Sequence, residues 1–225
     1  MIKNISNLGD AALYCDFGKE INKDTNSQVI KYFKSIQTKN ISGVDNLTPS
    51  YNKLIISFDI KKTNFENLKK IIENLDINIT ENLSNKKIEI PVCCDENFSL
   101  DIKRLEEKLK LNREKIFENF FNKEFFCYMT GFIAGMPFLG DLDKNMRIKR
   151  LETPRVKVPK GSVGLTEQFA NIYTFESPGG WNIIGNTPLK VFNKFNDINP
   201  ALINPGDTVS FYKITKEEYN NWNDK

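Results

Sequence analysis

The chain has 225 residues and a mass of 26.0 kDa, with 40% hydrophobic and 27% charged residues and a net charge of +3. That length allows two domains, each burying a core, and the small, evenly scattered charge argues against a nucleic-acid track. No run of ~18 uncharged apolar residues is present to cross a bilayer, and the absence of histidine excludes Ser-His or Cys-His nucleophile activation and histidine-ligated metals.

The opening MIKNISNLGD lacks the apolar core of a secretory signal, so a cytoplasmic location is expected. After the Gly9-Asp10 turn, ALYCDF reads as a strand. A helix follows in DTNSQVIKYFKSIQ, where Asp24 or Thr25 can cap and Val29, Ile30, Phe33 and Ile36 recur at helical spacing. A weak strand at 41–47 and a stronger one in KLIISFDI precede a second helix, NFENLKKIIENL. Asn64 caps it, with Phe65, Leu68, Ile71, Ile72 and Leu75 on one side. KKIEIPV closes the region as a further strand. The order strand, helix, strand, strand, helix, strand predicts a ferredoxin-like α+β domain over 1–90.

Past Pro91, one or two helices occupy 100–122, where Asp101 or Asn112 can start a turn. From Phe125 onward come short β-rich segments separated by Gly, Pro, Asn and Asp: FFCYMTGFI, PRVKVP, SVGLT, NIYTFE, WNIIG, LKVF and DTVSFYKI. Many short strands with frequent turns predict a closed or nearly closed β-barrel over 91–225. Cys15, Cys93, Cys94 and Cys127 form no Cys-x-x-Cys pair, so reduced thiols and no metal site are expected. No Gly-x-x-x-x-Gly-Lys-Ser/Thr phosphate loop occurs.

Several blocks, in order, carry a resemblance. They are Gly9-Asp10-Ala11-Ala12-Leu13, Pro91-Val92-Cys93, Tyr128-Met129-Thr130-Gly131-Phe132, and Gly135-Met136-Pro137-Phe138-Leu139-Gly140 with Leu142-Asp143. Further on are Pro154-Arg155, Val158-Pro159, Gly161-Ser162-Val163-Gly164, Ile172-Tyr173 and Glu176-Ser177-Pro178-Gly179-Gly180-Trp181. Ile184-Gly185, Thr187-Pro188 and Pro205-Gly206-Asp207 complete the series. Over nearly the full length this resembles the family of the 5-oxoprolinase B subunit (PxpB), which includes the kinase inhibitor KipI and has been labelled allophanate hydrolase subunit 1. The resemblance implies that the second half is a cyclophilin-like β-barrel domain. It also implies a hetero-oligomer with a homologous PxpC/KipA-like subunit and a PxpA-like subunit, which opens the small molecule 5-oxoproline to glutamate at the expense of ATP. The alternative it carries is a KipI-like inhibitor of a sensor histidine kinase with no catalysis of its own.

On that footing Arg155, Tyr173, Glu176 and Ser177 are candidate catalytic residues: a guanidinium for a carboxylate or phosphate, a hydroxyl donor, a base and a second hydroxyl. Pro178, Gly179 and Gly180 are candidate substrate-binding residues, with Ser177 and the two glycines offering successive backbone N–H groups to an oxyanion. The residues alone equally allow a tight hairpin turn at Gly179-Gly180, a core Trp181, a barrel Tyr173 and a surface ion pair for Arg155. Three positions depart from the family pattern: Phe120 for a usual histidine, Phe169 for a glutamine and Asn186 for an arginine. Each removes a polar group from an expected cleft.

Overall fold

The computed structural model describes residues 1–77, 86–196 and 198–223, in two compact units, Met1–Ser84 and Asn85–Lys225. The first unit contains β1 (Asn4–Asn7), β2 (Ala12–Asp16), α1 (Lys23–Lys39), β3 (Val44–Pro49), β4 (Lys53–Phe58) and α2 (Phe65–Glu73). Its sheet is antiparallel in the order β1-β2-β4-β3. Leu13 and Cys15 of β2, Leu54 and Ile56 of β4, Val29 and Ile36 of α1, and Leu68 and Ile72 of α2 form its core. Asn64 caps α2, accepting from the Asn67 N–H at 2.9 Å. At α1 the cap is Asn22, which accepts from the Thr25 N–H at 2.9 Å, while Asp24 lies in the first turn and complements the helix dipole.

Contrary to the order expected from the sequence, the strand in KKIEIPV does not close this sheet; Asn4–Asn7 takes that edge, pairing with β2 from Asn4↔Asp16 to Asn7↔Leu13. Only Ile5 of these four residues is buried, so the segment shows no alternation to mark it as a strand.

The second unit contains β5 (Lys87–Cys93), α3 (Ile102–Leu109), α4 (Arg113–Phe121), β6 (Glu124–Thr130), β7 (Pro137–Gly140), β8 (Arg155–Val158), β9 (Ser162–Thr166), β10 (Phe169–Ile172), β11 (Ser177–Gly179), β12 (Asn182–Asn186), β13 (Thr208–Ile214) and α5 (Lys216–Asn220). Seven strands close into a barrel, β10-β7-β6-β13-β5-β12-β9, and β8 with β11 makes a separate ribbon. β5 runs parallel to β13 along its whole length, from Lys87↔Thr208 to Cys93↔Ile214. The expected strand LKVF is not one; its Phe192 makes only an isolated bridge to Ala201. Val163, Leu165, Ala170, Ile172, Phe125, Cys127 and Phe211 fill the barrel, with Leu105 of α3 and Ile116 and Phe120 of α4 packed in the same core. Alternation turns Phe138, Gly164 and Asn171 to the opposite face, where Asn171 lies in register with both of the others. Among the described residues no helix is long and apolar enough to cross a membrane.

All four cysteines are buried free thiols. Burial pushes Cys15 and Cys94 up to about 12, and burial with the nearby Asp207 carboxylate raises Cys127 as well. A group whose pKa is raised by folding stabilises the fold fully below its unfolded pKa of about 8.5 and loses that contribution as pH climbs towards its folded value. Urea titrations are therefore expected to show unfolding free energy falling above about pH 8.5, by up to about 1.4 kcal/mol per pH unit for each of Cys15, Cys94 and Cys127. Equal stability at about pH 8 and pH 10.5 would show that the thiols are not shielded in this way.

Candidate functional site

The ribbon of β8 and β11 holds most of the residues singled out in the sequence. Ser177 lies opposite Val158 and Gly179 opposite Arg155, with a register irregularity between them. Arg155 reaches Asp101, the residue immediately before α3, and its Nη2 donates to Oδ1 at 2.6 Å. Asp101 is 5% exposed. Its Oδ2 accepts from the Ile183 N–H at 2.7 Å, and its own N–H donates to the Ile183 carbonyl at 3.0 Å. Both carboxylate oxygens being engaged, Asp101 does not cap α3. Asn112 does cap α4, accepting from the Lys115 N–H at 2.9 Å.

The clamp leaves one terminal nitrogen of the guanidinium in reserve. Arg155 Nη1 is buried with no hydrogen-bond partner among the described residues, and so is Ser177 Oγ. A buried polar group without a partner costs about 1–3 kcal/mol, so two on one ribbon mark a place where a polar ligand is rewarded. Tyr173 adds a third group. Its hydroxyl lies so close to Gly179 that a Cβ there would overlap it, which is the reason glycine is required at that position. Burial raises the Tyr173 pKa above its ordinary value, opposed by hydrogen bonds from the Asn171 side chain and the Trp181 backbone and by the charges of Arg150 and Arg155. The hydroxyl therefore stays a neutral donor near neutral pH.

The expected run of oxyanion-binding amides takes a different form. Ser177, Pro178 and Gly179 are a strand, and neither Gly179 nor Gly180 has positive φ, so the alternating backbone of an amide nest is absent there. Pro178 is exposed, and the Gly180 carbonyl accepts from the Leu151 N–H at 2.7 Å. Glu176 stands apart from the cluster: it is exposed and pairs with the exposed Lys157 at 3.0 Å. Trp181 is buried against Phe138, ring centroids 5.6 Å apart at 74°, and covers Gly164.

The three departures from the family pattern fall in different settings. Phe120 is fully buried in an aromatic cluster with Phe121, Phe125 and Phe211, which is core and not cleft. Asn186 is engaged on both sides of its amide, Nδ2 donating to the Lys160 carbonyl at 2.9 Å and Oδ1 accepting from the Tyr219 hydroxyl at 2.9 Å. Phe169 lies on the face shared with Asn171, edge-on to Tyr128 at 5.7 Å. The Tyr128 hydroxyl donates to Asp141 Oδ2 at 2.8 Å. Burial, and then the Asp141 carboxylate, raise the Tyr128 pKa and keep it protonated. The sequence blocks contain Tyr128 but give no sign of this pair, nor of the role of Asp101. An open groove of about 840 Å³ lies elsewhere in this unit, lined by Leu189, Tyr212, Ile214, Glu217 and Trp222 among others, and includes none of these groups.

The carboxyltransferase domain, subdomain C and D, matches residues 3–203. The 5-oxoprolinase B subunit of Bacillus subtilis (strain 168) is 31% identical over 96% of this chain and 94% of that protein. The 5-oxoprolinase B subunit of Haemophilus influenzae is 30% identical over 92% of this chain and 96% of that protein. Among solved structures, the crystal structure of TTHA0988 matches with a TM-score of 0.81 at 25% identity over 90% of this chain. The present chain spans 40% of that longer one.

Proposed function

The chain belongs to the family of the 5-oxoprolinase B subunit, built on the carboxyltransferase domain of subdomains C and D, and from that premise we propose that it is the PxpB component of an ATP-dependent 5-oxoprolinase complex. In this reading it works with a PxpC-like barrel subunit and a PxpA-like subunit to open 5-oxoproline to L-glutamate. The barrel unit is cyclophilin-like, and the first unit is a ferredoxin-like α+β domain whose outer strand comes from the N-terminus. The full-length match to relatives that carry this component's name supports the activity. The observation that carries the site is that Arg155 Nη1 and Ser177 Oγ, on the paired strands β8 and β11, are both buried with no hydrogen-bond partner among the described residues.

Each group has a role that its chemistry suits. Arg155 Nη1 and the Ser177 hydroxyl hold the substrate carboxylate, and the Tyr173 hydroxyl donates to the same anion or to the lactam oxygen. The lactam is a poor electrophile, so ATP, as co-substrate, phosphorylates its carbonyl oxygen. ADP leaves, water adds to that carbon and the C–N bond breaks with the nitrogen taking a proton, giving an acyl phosphate, and a second water cleaves this to the new carboxylate and inorganic phosphate. Glu176, exposed and paired with Lys157, is better placed to steer charge at the rim than to act as a base.

A KipI-like inhibitor of a sensor histidine kinase is the second reading. Its support is Phe169, which brings a ring to a position where the family pattern has an amide. The deciding experiment is glutamate formation from 5-oxoproline and ATP by the purified three-protein complex, with each protein omitted in turn. Activity is expected to vanish without this chain and to fall sharply with Arg155→Ala. An assembled complex without turnover, together with inhibition of kinase autophosphorylation by this chain, would replace the first reading by the second.

A further inference from the structure

One buried polar group of the barrel has no part in holding the anion. Asn171 of β10 is fully buried, and its Oδ1 has no hydrogen-bond partner among the described residues, as is true of Arg155 Nη1 and Ser177 Oγ. The donor end of the same amide is occupied: Nδ2 lies 4.0 Å from Met136 Sδ and donates to the Tyr173 hydroxyl. A thioether accepts and cannot donate, so the amide nitrogen belongs on that side and the oxygen turns away from it. The oxygen lies against Gly164, 2.7 Å from where a Cβ would stand, with Trp181 Cβ 2.9 Å from the same point.

The Tyr173 hydroxyl joins this amide to the anion-binding groups. It receives Asn171 on one side, and on the other it occupies the place of a side chain at Gly179, the residue paired with Arg155. Phe138 and Phe169 share the face of Asn171, and Trp181 stands edge-on to Phe138 at 5.6 Å. These apolar walls keep water from the oxygen. Its unused capacity is therefore costly, and a donor brought by a ligand is rewarded.

The chemistry of the groups names that donor. Arg155 Nη1 can only donate, the Ser177 and Tyr173 hydroxyls serve substrate oxygens, and Asn171 Oδ1 can only accept. A cyclic amide that bears a carboxylate carries the complementary set: acceptors on its carboxylate and ring carbonyl, and a single donor, the ring N–H. We propose that Asn171 is a specificity-determining residue whose Oδ1 accepts from the ring N–H of the lactam. The inference rests on the 5-oxoproline reading above and deepens it, because it states how the site tells a lactam from a ring of the same shape that lacks the N–H. A hydrogen bond taken from that N–H also polarises the amide towards its carbonyl oxygen, the atom that receives the phosphoryl group, and holds the nitrogen in place as it becomes an amine.

The test is calorimetric titration of the assembled three-protein complex, held with a non-hydrolysable ATP analogue, using 5-oxoproline and its carbocyclic analogue in which a methylene replaces the ring N–H. The parent is expected to bind 5-oxoproline about tenfold or more tightly than the analogue, since a site built around an N–H rejects the ring without it. Asn171→Leu and Asn171→Val are expected to bring the two ligands within about threefold of each other by weakening 5-oxoproline alone. Asn171→Asp keeps an oxygen at that place and is expected to retain the preference. Melting temperatures show which variants are folded, and Asn171→Val, the smaller side chain, carries the test if Asn171→Leu is not. A parent complex that turns over 5-oxoproline yet binds both ligands alike would overturn the role of Asn171 and leave the substrate reading standing. So would folded apolar variants that weaken both ligands equally and keep the parental ratio, the mark of a residue that only supports the barrel. A parent complex that binds neither ligand and forms no glutamate would overturn the substrate reading itself.

Discussion

Arg155→Lys is expected to lower kcat/KM of the assembled complex for 5-oxoproline roughly 10- to 100-fold, equivalent to about 1.5–3 kcal/mol of a charged hydrogen bond, with less than about 1 kcal/mol lost from stability. A lysine ammonium keeps the charge beside Asp101 but has no second nitrogen to replace Nη1, the one left without a protein partner. Asp101→Ala separates structure from chemistry in the other direction. It removes the acceptor of both the Arg155 guanidinium and the Ile183 N–H. The expected cost is about 2–4 kcal/mol, below the range for fully buried pairs because Arg155 is partly open to solvent. Urea denaturation of the free chain measures the second effect and steady-state kinetics of the complex the first. Arg155→Lys with parental kcat/KM would remove Nη1 from the site.

Phe120→Ala is expected to destabilise the chain by about 3–5 kcal/mol, the range for deleting a fully buried aromatic. The ring has centroids of Phe211, Phe125 and Phe121 at 4.8, 5.3 and 5.4 Å, so the cavity is lined by rigid neighbours with little room to collapse. Chemical denaturation reads the loss directly. At a temperature where the variant remains folded, its affinity for the partner subunit and its KM in the complex are expected to match the parent's. A change in KM at full stability would return Phe120 to the cleft, where the family pattern places a histidine.

What was legible in the sequence follows the reach of each interaction. The Asn64 cap and the apolar spacing of Leu68 and Ile72 lie within a few residues, and the observed α2 buries both side chains. The barrel was legible as a class because turn residues punctuate short strands, although LKVF, which follows a proline-led turn as a strand would, lacks a partner strand. In the sequence Asp101 is placed as a helix start, because a carboxylate before an apolar-periodic run usually is one. Its actual partner is 54 residues away. Glu176 and Ser177 are neighbours in one sequence motif. The side chain of one is solvated while the hydroxyl of the other is buried, as adjacent residues entering a strand point to opposite sides.

The parallel pairing of β5 with β13 sets an order of events during synthesis. Lys86 reaches Asp207 across 121 residues, and the seven-residue ladder beyond them joins the first strand of the barrel to its last. Until β13 has left the ribosome, β5 and β6 each present an open hydrogen-bonding edge to the cell. At roughly 5–20 residues per second that interval lasts several seconds or more. The nascent barrel is thus a long-lived target for chaperones and for strand exchange with its neighbours, while the first unit, built from short-range pairings, can fold ahead of it.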